Sequence, residues 1–324
     1  MTPLITDTTG PKTIVLDHTP GRGRWRFILV PGLVPDGPHT FLFQTRLLRR
    51  FGDLITLTYP YDHFSLDETI ACIAGQVQAA HRAGRRPVLV GVSVGGGVIL
   101  EWLRRTRLAG EAPELGGLIL ISPLSCAEDL SPLLKRLLAP VMAEAQKADG
   151  LPEQALQRGR EFFMGLAAKS AGAPRRVRGL RRLFDRFTPA GYAARRDHAI
   201  RSDIEQSLGR ITDRTAVERV VALKDFRGVH GLARAHLPVT TAPVLILWGA
   251  KERQTLDVAG PGASVLCRPD LCHRLFPNVE IHWVYNPDGE EAPHASLLKH
   301  ARAFNRHLSR YCTRLGTTRT REDD

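Results

Sequence analysis

Chemistry is most directly suggested in this chain by the run Gly91-Val92-Ser93-Val94-Gly95-Gly96-Gly97. A serine placed where a strand turns into a helix sits on a tight, strained backbone and needs small neighbours. Gly91 and Gly95 flank Ser93 at the G-x-S-x-G spacing. Such a turn holds the hydroxyl above a sheet edge, with the following helix N-terminus aimed at developing negative charge. Two blander readings compete with a nucleophile. One is a glycine-rich turn that packs a helix on a strand. The other is a phosphate-binding loop, which is weakened because no Gly-x-x-x-x-Gly-Lys-Ser/Thr is present.

The elements around the motif decide between these readings. Pro87–Val90 is β-branched and reads as a strand, and Val98–Leu108 reads as a helix, so Ser93 falls at their junction. The first third of the chain alternates in this way throughout, as βαβ units do. Strands are expected at Thr13–Leu16, Trp25–Val30, Leu54–Thr58 and Leu118–Ile121. The last is a continuous apolar run of the kind covered on both faces. Ser65-Leu66-Asp67-Glu68 has the form of a capping box, and Leu66, Ile70, Ile73 and Val77 then recur at helical spacing. From about Leu124 to Leu237 the signals are helical and dense in Arg, Ala and Leu. Alternation resumes with strands at Pro243–Trp248 and Val279–Tyr285 and a helix from His294 to about Cys312. The expected architecture is an α/β core with a mostly parallel central sheet and helices on both faces. Its first part is 1–122 and its second 241–315, with a helical cap inserted at 123–240 and a frayed tail at 316–324. An insertion of this length exceeds ordinary loops and must carry its own structure.

With these residues in place the chain resembles the α/β-hydrolase fold family, of the serine esterase and lipase type, over roughly residues 25–122 and 241–310. The resemblance makes Ser93 the nucleophile. It also assigns backbone oxyanion donors to Val94, which follows the nucleophile, and to Leu33, in the loop after Phe27-Ile28-Leu29-Val30-Pro31-Gly32. Family members often carry His-Gly where this chain has Pro31-Gly32; the donor is a backbone amide and survives the change. A serine hydroxyl needs a base within hydrogen-bond reach, and the family places it as a histidine after the last strand. His294 fits, following Asn286-Pro287-Asp288-Gly289. His282 lies inside a strand, while His273, His300 and His307 fall in predicted helices and read as surface residues. The third member orients the imidazole. Leu247-Trp248-Gly249-Ala250-Lys251-Glu252 matches the acid loop with Glu252 where aspartate is commoner, and Asp257 is the alternative. The order Ser93, Glu252, His294 is the family order.

Composition bounds the rest. The chain has 324 residues, 43% hydrophobic and 24% charged, which is globular rather than disordered. Five cysteines without periodic spacing do not form a disulfide framework. Cys267, Cys272 and His273 lack zinc-ligand spacing, and Cys126 near Asp129 has no elbow. No metal or cofactor is expected. The first ten residues are polar, carry Asp7 and do not read as a secretory signal, so a cytoplasmic location is the expectation. The net charge is +12, and roughly two-thirds of the excess lies within 123–240, densest at Arg175, Arg176, Arg178, Arg181, Arg182 and Arg186. Without any nucleic-acid module this is read as a solvated basic face, with nucleic acid an unlikely partner. The implied activity is hydrolysis of small-molecule carboxylic esters through an acyl-enzyme. Serine at the elbow disfavours the dehalogenase and epoxide-hydrolase chemistry that uses aspartate there. The arginines admit an anionic substrate, so a thioesterase or acyltransferase acting on acyl-CoA or acyl-carrier substrates is the nearest alternative. A catalytically silent binding protein of the same fold is the alternative from another class.

Overall fold

The computed structural model describes residues 13–35, 37–144, 153–171 and 189–317. The apolar runs form seven strands: β1 (Val15–Thr19), β2 (Trp25–Val30), β3 (Gly52–Thr58), β4 (Arg86–Val92), β5 (Gly117–Ile121), β6 (Val244–Gly249) and β7 (Val279–Val284). They make one sheet in the order β1-β3-β2-β4-β5-β6-β7. Only β1 runs antiparallel to its neighbour, pairing Val15 with Thr58; the pairs from β3 to β7 are parallel. All six residues of β6 and all five of β5 are buried, as strands covered on both faces must be.

Side chains two apart share a face of a strand, and the two cores follow this rule. Ile28, Val30, Leu89, Leu118, Leu120, Val244 and Ile246 join one core. Their sequence neighbours Phe27, Leu29, Val88, Val90, Ile119, Leu245 and Leu247 join the other. After two single helical turns, α1 (Gly37–Thr40) and α2 (Thr45–Leu48), come the long helices α3 (Leu66–Arg82) and α4 (Val94–Leu108). Ile70, Ile73 and Val77 of α3, with Ile99 and Leu103 of α4, cover the first face. The last helix, here α11 (Ala301–Thr317), covers the second through Phe304, Leu308, Tyr311 and Leu315. The Tyr311 hydroxyl donates to the carbonyl of Pro243 at 2.6 Å and anchors α11 beside the start of β6.

Between β5 and β6 the described residues form no strand. They hold α5 (Pro132–Glu144), α6 (Glu153–Ala171), α7 (Pro189–Gly209) and α8 (Asp213–Val221). The arginines from Arg175 to Arg186 lie outside the described residues. After β6 come α9 (Pro261–Cys267) and α10 (Pro269–Leu275). Among the described residues no helix is long and apolar enough to cross a membrane.

Three expectations need correcting. The terminal helix starts at Ala301 rather than at His294, so His294 stands in a loop. His300 is buried and donates to Asn286 at 2.8 Å, and His307 is half-buried against the His282 ring, 4.8 Å between centroids; neither is a surface residue. Burial, helped by neighbouring His282, lowers the His307 imidazole to about 4. The capping box is half made. Ser65 accepts the Glu68 amide at 3.2 Å, but the Glu68 carboxylate turns to His63 at 3.0 Å instead of back to the cap.

Helix α4 approaches the sheet at backbone contact. A Cβ on Gly95 would lie 2.3 Å from the carbonyl oxygens of both Val30 and Pro31, and one on Gly91 2.6 Å from the Cα of Gly96. Those clashes are with backbone and cannot be relieved by a rotamer change. Around Gly75, in mid-α3, a methyl would meet nothing within 4 Å. Gly95→Ala should therefore lower stability by about 1–3 kcal/mol, as overpacking does. Gly75→Ala should raise it by about 0.5–1 kcal/mol through helix propensity alone. Denaturant midpoints of the two variants measure the contrast.

Candidate active site

Ser93 joins the end of β4 to the first turn of α4 with φ 52° and ψ −115°, outside the regions an L-residue favours. Its backbone is held from two sides. The Ser93 amide donates to Ile121 at 2.8 Å, and its carbonyl accepts from Leu124 at 3.1 Å. The strain is thus fixed by β5 and the segment after it, and Ser93 as a residue is partly exposed.

His294 reaches this hydroxyl. Its Nε2 lies 2.8 Å from Ser93 Oγ, and its Nδ1 is hydrogen-bonded to Glu252 Oε1. With the ring proton on Nδ1, that nitrogen donates to the carboxylate and Nε2 is free to accept from the serine; this tautomer is inferred from the network. Glu252 is fully buried, whereas the His294 side chain is 15% exposed. A buried carboxylate needs donors on both oxygens. Oε2 accepts from the Ser122 hydroxyl at 2.8 Å and from the Gly249 amide at 3.1 Å. The extra methylene of glutamate lets one oxygen face the imidazole while the other stays beside the ends of β5 and β6.

Ser122 is a residue that sequence reasoning misses. It follows β5, and its hydroxyl donates to Glu252 while accepting the Ala295 amide at 3.1 Å. One oxygen therefore ties the acid to the loop that carries His294. Nothing in the local sequence Ile121-Ser122-Pro123 marks this, because the partners are 130 and 173 residues away. A backbone signal does mark it. Among the described residues the non-glycine positions with positive φ are Ser93, Ser122 (46°) and Ala295 (46°), all three at this site. Strained backbone gathers where a surrounding scaffold can hold it.

The remaining candidates separate clearly. Asp257 spends its carboxylate on the Ala259 amide at 3.0 Å. Asp129 is buried with Oδ1 on the Gly262 amide at 2.9 Å, and burial raises its carboxyl above the usual range. Cys126 is buried, and burial with the nearby Asp129 pushes its thiol up to about 12, against a nucleophilic role. Cys272 is buried, and His273 faces solvent with Nδ1 near the Pro277 carbonyl. Of the expected oxyanion donors, Val94 opens α4, where amides have no acceptor inside the helix. The loop of Leu33 comes close: a methyl on Gly32 would lie 3.5 Å from the Cβ of Ser93.

Comparison with solved structures shows the fold to be a known one. An esterase from Exiguobacterium antarcticum superposes with a TM-score of 0.58 at 15% identity, covering 95% of this chain and 100% of that one. A thermophilic esterase from Thermogutta terrifontis gives 0.56 at 15% identity, with 96% and 99% covered. The chain has the α/β-hydrolase fold. An N-formylmaleamic acid deformylase from Pseudomonas putida also matches, at 0.52 and 14% identity over 93% of this chain and 98% of that one. At such identities the likeness concerns the fold, and α/β hydrolases act on more than one kind of bond. No protein-family model and no curated protein matches the sequence.

The position of Glu252 gives a direct test. Glu252→Gln keeps the shape but removes the charge that favours the Nδ1-protonated imidazole, a change that costs on the order of 10⁴ in comparable triads. Asp257→Asn should cost less than about twofold, since that carboxylate serves a local turn. Rates of covalent labelling of Ser93 by a fluorophosphonate, compared across wild type and the two variants, measure both.

Proposed function

We propose that the chain is a serine hydrolase that cleaves carboxylic esters of small molecules through an acyl-enzyme. One observation carries the reading. The hydroxyl of a serine on a strained strand-to-helix turn lies 2.8 Å from an imidazole nitrogen whose other nitrogen is held by a fully buried carboxylate. In this reading Ser93 Oγ attacks the ester carbonyl as its proton passes to His294 Nε2. The carbonyl oxygen becomes the oxyanion, received by the amides of Val94 and Leu33. Donors of this kind contribute about 3–4 kcal/mol each in enzymes where one has been removed. The tetrahedral intermediate collapses, the C–O bond to the alcohol breaks, and the departing oxygen takes the proton from His294. Water then attacks the acyl-enzyme, giving its proton to His294, and the acid leaves as Ser93 regains its hydrogen. Glu252 stays ionised and stabilises the imidazolium in each half-reaction.

The segment 123–240 is assigned as a cap over this site. Its last helix supports the assignment: the Thr212 amide donates to the Tyr61 carbonyl at 2.9 Å, and Glu218 accepts the Phe64 amide at 2.8 Å. Both partners lie just after β3, at the same end of the sheet as Ser93. The alternative of an acyl-thioester substrate rests on the basic composition of the segment, much of it outside the described residues.

The nucleophile and base are tested together. A fluorophosphonate should label the wild type on Ser93, and Ser93→Ala should abolish labelling; an adduct on another residue overturns the reading. His294→Ala should lower kcat by about 10⁴–10⁶ with the unfolding midpoint little changed. A panel of p-nitrophenyl esters and acyl-CoAs of graded length reads the substrate class. A preference for the CoA series that fades with added salt would favour the thioesterase, because exposed charge is screened within about 8 Å at physiological ionic strength.

A further inference from the structure

Among the described residues, Arg219 is the one arginine in the group of largest fully buried side chains, 1% exposed, on α8 of the inserted segment. Its two terminal nitrogens reach the loops above the sheet. Nη1 donates to the carbonyl of Leu33 at 3.1 Å and Nη2 to the carbonyl of Pro60 at 3.0 Å. Its guanidinium carbon lies 5.2 Å from the centroid of the Tyr59 ring and 6.0 Å from that of Phe64. Tyr59, itself buried, donates its hydroxyl to the carbonyl of Pro31 at 2.9 Å. The carbonyls of Pro31 and Leu33 belong to the peptides on either side of the Gly32–Leu33 peptide, whose amide is the oxyanion donor proposed above. The segment that carries this donor is therefore fastened at both ends, by Tyr59 from just after β3 and by Arg219 from the insertion.

We infer that Arg219 is a positioning residue for the oxyanion hole: by holding Leu33 from the inserted segment, it makes docking of that segment a condition for transition-state stabilisation. This inference rests on the ester-hydrolase reading and deepens it. With Pro31 and Leu33 fixed, Gly32 stays beside Ser93 and the amide that follows it keeps its place; with Leu33 released, a loop that has glycine at its centre can sag. A displacement of about 1 Å at a catalytic group costs on the order of 10² in rate. Because charge appears on the substrate oxygen only as the tetrahedral state forms, the loss falls on kcat and spares KM. Lysine cannot replace the fork, since one ammonium on a flexible stem does not reproduce a planar pair of donors stacked on an aromatic face.

The test uses the full-length protein and a short p-nitrophenyl ester, with a trifluoromethyl ketone as the oxyanion-forming analogue. Arg219→Met should lower kcat by about 10- to 100-fold with KM within about threefold, and should weaken the trifluoromethyl ketone in step with kcat. Arg219→Lys should fall between it and wild type. Tyr59→Phe, which removes only the hydroxyl on Pro31, should show the same pattern more mildly and carries the test if Arg219→Met does not fold. Arg214→Gln, an exposed position on the same helix, should leave kcat unchanged. A loss of thermal stability with kcat and analogue affinity preserved would overturn the inference, as would a rise confined to KM, which would make Arg219 a substrate contact. A wild type that the fluorophosphonate does not label at Ser93 would instead remove the parent reading, and this inference with it. A labelled wild type with normally active Arg219 variants would remove this inference alone.

Discussion

The constraint on which the site depends is the burial of the Glu252 carboxylate. A charge with no exposure to water is costly unless every lone pair meets a donor, and removing one partner of a buried pair costs several kcal/mol. Here the donors come from three places in the chain: Gly249 at the end of β6, Ser122 after β5, and His294 beyond β7. Satisfying one side chain therefore brings three strand ends into register. The parallel pairing of β5 with β6 and of β6 with β7 supplies that register. The acid orients the imidazole, and the same acid fastens the loop that carries it.

The strained residues follow the same logic. Ser93, Ser122 and Ala295 each hold a left-handed backbone without being glycine, at an expected cost of order 1–3 kcal/mol apiece. Each lies where the sheet over-determines the chain. Ser93 is tied to Ile121 and Leu124, Ser122 donates its amide to Leu247 at 2.7 Å, and Ala295 donates to the Ser122 hydroxyl. Two fully buried strands and a helix packed at backbone contact make a scaffold stiff enough to hold them. The glycines at 91 and 95 are part of that stiffness, since they let α4 press directly on the sheet.

A second network, built from the inserted segment and the residues just after β3, meets the first at the loop after β2. Tyr59 and Arg219 hold carbonyls of Pro31 and Leu33, while Glu218 and Thr212 meet the chain just after β3. Through Arg219 the inserted segment contributes a donor to the backbone that follows β2, so the placement of that loop and the seating of α8 are physically one problem.

Much of this is legible in the sequence, for a local reason. Strand and helix periodicity and the glycines around Ser93 are carried by neighbouring residues or by elements a few residues long, while the places of Glu252 and His294 come from the resemblance to the α/β-hydrolase family. Trp25–Val30 forms where its pattern places it, and the other strands differ from theirs by only one to three residues at an end. The terminal helix begins later than its pattern suggests because Ala292 to Leu298 are compatible with a helix, whereas the loop there is held by Lys251 and Ser122, far away in sequence. His300 and His307 read as polar surface, and only packing against Asn286 and His282 shows otherwise. Ser122 and Arg219 carry no local mark at all. Each acts through partners more than a hundred residues distant, and a pairing of that span is decided when the sheet and the insertion close upon each other, not by the residues on either side.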